Sequence, residues 1–144
     1  MASQEHIEMV IKRLQKSTPV EFFKPINYTQ AGMGAILHIL HCSKKTITAG
    51  KISEAMNISA ARVAVLLKKM ASKGLITKET DPMDARVTII KITELGKSLA
   101  EKREAEMFSQ VGNVIDRIGI DRIMEFLEIS EEIKSIVKYP DFKE

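Results

Sequence analysis

The apolar residues of this chain repeat with a helical period over most of its length and give way once to runs that suit strands. Ile7, Val10, Ile11 and Leu14 share one face of a helix expected over about Ser3–Lys16. Pro19 and Pro25 interrupt that pattern, and Val20–Tyr28, with Phe22, Phe23 and Tyr28, is expected to be a semi-regular segment packed on the core. A second helix, about Thr29–Cys42, sets Met33, Ile36, Leu37 and Leu40 on one stripe. Gly32 and Gly34 each weaken that helix by about 1 kcal/mol relative to Ala, a cost that fits a close helix contact.

The following stretch is the most legible. Thr48 caps a short helix, Ala49–Met56, whose buried face is expected to be Ile52, Ala55 and Met56. Asn57 tolerates the left-handed conformation of a helix exit and ends it. Ser59 is a second N-cap, opening a helix of about Ala60–Lys73 that Gly74 stops. Two helices joined by a three-residue turn make a helix-turn-helix. Leu75–Thr80 and Val87–Ile92 then read as strands around the polar turn Asp81–Arg86, which gives a two-stranded β-hairpin, or wing.

Thr93 caps a long helix, about Glu94–Ile118, with Leu95, Leu99, Phe108, Val111, Ile115 and Ile118 as its apolar run. Gly119 breaks the chain and Asp121 caps a last helix, about Arg122–Lys138, with Ile123, Phe126, Leu127, Ile133 and Val137 inward. Pro140 closes it. The expected fold is mainly α (α+β), a single domain over residues 1–144.

Charge changes the picture. Residues 44–91 hold ten Lys/Arg against four Asp/Glu, whereas residues 92–144 hold eight against twelve and residues 1–43 four against three. A basic middle beside an acidic tail points to a central surface that faces a polyanion, with uneven solvated charge as the alternative. At 44% hydrophobic and 28% charged residues the chain has enough apolar content for a core. Glu5, Glu8, Lys12 and Arg13 interrupt the N-terminal apolar residues, so no signal peptide or membrane span is expected there, and the cytoplasm is the expected compartment. One cysteine, Cys42, forms no internal disulfide.

The second helix of the helix-turn-helix carries the recognition chemistry. With Val63, Leu66, Leu67 and Met70 facing the core, the 100° step turns Ala61, Val65, Lys68 and Ser72 outward, with Arg62, Ala64 and Lys69 on the flanks. Small residues allow close approach in a major groove while Lys68, Lys69 and Lys73 reach phosphates or base edges, and Val65 suits a thymine methyl. The expected DNA-facing set is Thr48, Ser59, Ala60, Ala61, Arg62, Ala64, Val65, Lys68, Lys69, Lys73 and, on the wing, Arg86. Arg86 suits a narrow minor groove, and an ion pair with Asp81 or Asp84 that shapes the turn is the alternative or the companion role.

Four blocks at these positions resemble the MarR family of bacterial transcription regulators. They are Ile47-Thr48 with Ile52-Ser53-Glu54 and Met56-Asn57-Ile58-Ser59; Val63, Leu66-Leu67, Met70 and Lys73-Gly74-Leu75-Ile76; Asp81-Pro82, Asp84 and Arg86; and Ile92-Thr93-Glu94-Leu95-Gly96. The resemblance implies a homodimer held by helices from both termini, a recognition helix in the major groove and Arg86 in the minor groove; with the basic middle and the helical C-terminal half, a symmetric dimer on a pseudo-palindromic site is expected. The resemblance divides the chain into N-terminal helices (1–45), part dimerisation and part scaffold, a DNA-binding region (46–93) and C-terminal dimerisation helices (94–144). Most such proteins repress, and many release DNA on sensing a small aromatic or phenolic ligand, an oxidant or a metal. The chain departs from the pattern at Met83 and Ala85, where many members carry a further arginine, and at Asn57 in place of a turn glycine.

His38, His41 and Cys42 lie at i, i+3 and i+4, a spacing that converges on one metal ion if His6 or a carboxylate completes the set. Helix-packing histidines and a structural cysteine are the plainer reading, and a redox switch at Cys42, aided by Lys44 or Lys45, is a third. No cofactor is expected. Gly32-x-Gly34 lacks the strand and third glycine of a dinucleotide site, and no nucleophile–base arrangement stands out, so an enzyme is not expected. A winged helix that serves only protein contacts is the main rival.

Overall fold

The computed structural model describes residues 1–16 and 28–136. The order is α1 (Gln4–Lys16), α2 (Tyr28–Cys42), β1 (Ile47–Thr48), α3 (Ala49–Met56), α4 (Ala60–Ser72), β2 (Ile76–Thr80), β3 (Thr88–Ile92), α5 (Glu94–Ile118) and α6 (Ile120–Ile136). The expected segment 20–28 falls, except for Tyr28, outside the described residues, as do Val137 and the side chain of Leu14. Packing divides the described residues into one unit within Lys24–Arg103 and another within Met1–Phe23 and Glu104–Glu144.

In the first unit, Ile36, Leu37 and Leu40 of α2 pack with Ile52 of α3, the α4 stripe Val63, Leu66, Leu67 and Met70, and Leu75, Ile76, Ile90 and Ala100. Fully burying one such side chain contributes about 2 kcal/mol. Gly32 lets α2 lie on α4, since a Cβ there would stand 3.0 Å from Cδ1 of Leu66. The sheet has three strands in the order β1-β3-β2, all antiparallel, with Ile47 opposite Ile90 and Ile76 opposite Ile92. The wing is thus backed by a short strand that the two-stranded expectation left out.

Two expectations of side-chain placement and one of a helix boundary differ here. Ala55 is exposed, because the buried side of α3 runs through Ile52 and Met56 toward Ala49, the flank away from Ala55. Leu95 is 59% exposed. Its neighbour Gly96 faces the strand connection instead, and a helical step of 100° swings Leu95 out. Lys73 is the C-cap of α4 rather than its last helical residue, with Gly74 beyond it at φ +69°.

In the second unit, Ile7 and Val10 of α1 pack with Ile115 of α5 and with Ile123 and Leu127 of α6, flanked by Phe108 and Val111. The guanidinium of Arg13 donates twice to the Glu131 carboxylate, each bond 3.0 Å. Gly119, at φ +92°, is the single residue between α5 and α6, so that α6 begins at Ile120. Asp121 therefore lies in its first turn instead of capping it. Phe126 and Ile133, expected inward, are exposed by 42% and 54%, and Ile118, the end of the expected apolar run of α5, by 46%. Within this unit α1 covers the Ile123–Leu127 stripe of α6, and the opposite stripe, Phe126, Ile129, Ile133 and Ile136, faces outward.

Candidate nucleic-acid interface

The turn between α3 and α4 is tied by backbone and side chain together. Asn57 adopts φ 51°, ψ 48°. Its N–H donates to the carbonyl of Glu54, the N–H of Ile58 donates to that of Ser53, and the Ser53 hydroxyl donates back to the carbonyl of Ile58 at 2.6 Å. Thr48 Oγ1 accepts from the N–H of Lys51 and Ser59 Oγ from that of Arg62, both at 3.2 Å, so each helix is capped as its sequence predicts.

That frame fixes the rotation of α4. Ala60, Ala61, Arg62, Ala64, Lys68, Lys69 and Lys73 are all exposed, and Val65 is 56% exposed. The face is small at its N-terminal end and cationic toward its C-terminal end, the order the sequence predicts. Ser72, also outward, donates its hydroxyl to the Lys69 carbonyl.

At the wing, Asp81 N–H donates to the Val87 carbonyl and Val87 N–H to that of Asp84. The two aspartates then build the turn: Asp81 accepts from the N–H of Met83 at 2.8 Å, and Asp84 accepts from the N–H, Nε and Nη2 of Arg86 at 3.0, 3.1 and 3.3 Å. The Arg86 side chain remains 90% exposed. Its hydrogen bond holds the Asp84 carboxyl below the usual aspartate range. Of the two ion partners weighed from the sequence, Asp84 is the one in place, and Asp81 shapes the turn through backbone.

The sequence-predicted set omits Lys44, Lys45, Lys51 and Lys78, which are exposed in the same unit. Lys51 reaches back to donate to the Thr46 carbonyl at 2.8 Å. The excess charge of residues 44–91 was the signal for them, since it counts them alongside the α4 lysines.

The other candidates on α2 form a smaller group. Cys42 is exposed, with Sγ 3.6 Å from Nδ1 of His38. Among the described residues no set of three His, Cys, Asp or Glu side chains converges so as to hold a metal. Among them, too, no helix is long and apolar enough to cross a membrane.

Comparison with known proteins gives the same outline. The family model described as "MarR family" matches residues 31–88. The chain is 35% identical over 100 residues to the transcriptional regulator AdcR of Streptococcus pyogenes, covering 69% of this chain and 67% of AdcR. It is 26% identical over 100 residues to the uncharacterized HTH-type transcriptional regulator YdgJ of Bacillus subtilis, covering 68% of this chain and 60% of YdgJ. The match thus spans less than two thirds of YdgJ. In structure it is similar to MepR of Staphylococcus aureus, solved as a DNA complex, with a TM-score of 0.63, 18% identity, and coverage of 95% and 99% of the two chains. With its winged helix-turn-helix and this relationship to AdcR, the chain belongs to the MarR family.

Proposed function

We propose that the protein is a sequence-specific double-stranded DNA-binding transcription regulator that acts as a homodimer, a repressor released by a small-molecule effector. The observation that carries the reading is the outward face of α4: exposed Ala61 and Val65 leading to Lys68, Lys69 and Lys73, in the same unit as the wing on which Asp84 orients Arg86. Small residues let a helix sink into the major groove, and the cations behind them meet phosphate. Arg86 then enters the adjacent minor groove. The relatives named as transcriptional regulators and the MepR–DNA complex support this assignment.

Dimerisation is supported by the second unit, where Val114, Ile118, Phe126, Ile129, Ile133 and Ile136 are all at least 40% exposed. An apolar surface of that kind on a small domain is covered in an assembly. A second copy of the chain covers it here, and a two-fold dimer presents two α4 helices to half-sites about one helical turn apart. Residues 46–93 are then the DNA-binding region, and the terminal helices join the subunits. The protein works in the cytoplasm and is not an enzyme. A small aromatic or phenolic effector enters the reading through the family alone.

Selection of bound duplexes from random DNA, followed by affinity measurements across a salt series, tests the proposal. Enrichment of a pseudo-palindrome and a linear fall of log K with log salt, with a slope of about −0.9 per phosphate neutralised, are expected. Absence of enrichment with salt-insensitive binding sinks it and leaves the protein-contact winged helix as the reading.

A further inference from the structure

Met83 stands at the wing tip with 92% of its surface exposed. One exposed apolar side chain is ordinary; the backbone beneath this one is not loose. Asp81 Oδ1 holds the Met83 N–H, Asp81 and Val87 close the turn by backbone bonds, and Asp84 ties down Arg86. A turn so fixed loses little entropy on binding. The Met83 side chain itself, being almost wholly exposed, takes no part in shaping it.

Residues 81–86 carry two carboxylates and one guanidinium. The two carboxylates offset part of the pull of Arg86 on a polyanion, so shape and apolar contact add to that arginine in favouring entry of the tip into a groove. An unbranched thioether with three rotatable bonds adapts to the sugar-lined walls of a narrow minor groove. Over a G·C pair the floor of that groove presents the guanine N2 amino group, a donor the thioether covers without replacing its bond to water.

We propose that Met83 is a specificity-determining residue, an apolar minor-groove contact that favours A·T over G·C pairs beneath the wing. The inference rests on the DNA-binding reading above. Its test uses the full chain and duplexes enriched by the wild type from random DNA, with the pairs beneath the wing set to A·T or G·C. The wild type prefers A·T. Met83→Ala loses about fivefold on the A·T duplex, the equivalent of burying part of the side chain, and little on the G·C duplex, while Met83→Leu keeps the wild-type preference. Wild-type affinity and preference in Met83→Ala overturn the role of Met83 and leave DNA binding standing. A wild type that enriches no duplex overturns both.

Discussion

Gly96 sits directly on the carbonyl oxygen of Leu75: a Cβ built there would overlap that oxygen and stand 2.8 Å from Cγ1 of Ile92. The first turn of α5 therefore abuts the start of the wing with no room for a side chain. Thr93 completes the joint, its hydroxyl donating to the Gly74 carbonyl at 2.6 Å and accepting from the Gly96 N–H at 3.1 Å.

Because the obstructing atom is backbone, Gly96→Ala cannot be relieved by a rotamer change. Its expected cost is about 3 kcal/mol, the upper end for overpacking. Chemical denaturation reads it directly, and a loss below about 1 kcal/mol means the strand connection yields more easily than the geometry allows.

Asn57 allows a two-sided test. Asn57→Ala is expected to lose about 1 kcal/mol, since the left-handed conformation penalises Cβ, whereas Asn57→Gly keeps the turn with little loss. Equal losses in the two variants would show that the Asn side chain, not its backbone conformation, matters.

Protonation of Asp84 releases Arg86. The folded pKa lies below the unfolded value, so the ion pair is fully present above the ordinary aspartate range and is lost as pH falls through the lowered folded value. NMR titration of the Asp84 carboxyl is expected to show a midpoint below that of an unperturbed aspartate, moving up in Arg86→Ala. An unchanged midpoint in that variant removes Arg86 as the cause.

Ile133→Glu probes the outward stripe of α6. Ile133 is 54% exposed in the isolated chain, so a charge there spares the Ile123–Leu127 core. Sedimentation is expected to show a dimeric wild type and a monomeric variant with unchanged helix content. A monomeric wild type at micromolar concentration rejects the two-fold assembly.

Lys68→Ala separates two kinds of contact. A phosphate contact lowers affinity on all sequences and reduces the salt slope by about one; a guanine contact instead relaxes one base position. Footprinting of the variant on selected and unrelated duplexes decides, and no change in either removes Lys68 from the interface.

The core face of α4 was legible because four apolar residues at helical spacing leave only one rotation, and the outward set follows from it. The caps were legible because Thr48 and Ser59 stand just before apolar periodicity. β1 was not: two residues carry no period, and only pairing with β3 makes them a strand. Nor could periodicity orient α6. Ile120, Ile123, Met124, Phe126, Leu127, Ile129, Ile133 and Ile136 surround that helix, and the packing partner selects the buried side. At the wing, sequence spacing allowed either aspartate for Arg86, and the turn geometry chose Asp84.

Thr48 is both the last residue of β1, opposite Ile89, and the N-cap of α3. A residue held in two elements makes their fluctuations one event: when β1 peels from β3, the cap that steadies Lys51 goes with it. In hydrogen-exchange terms, the amides at the start of α3 and those of the β1–β3 pairing should open together, at one rate, so that the start of α3 and the middle of the wing strand β3 report a single local stability.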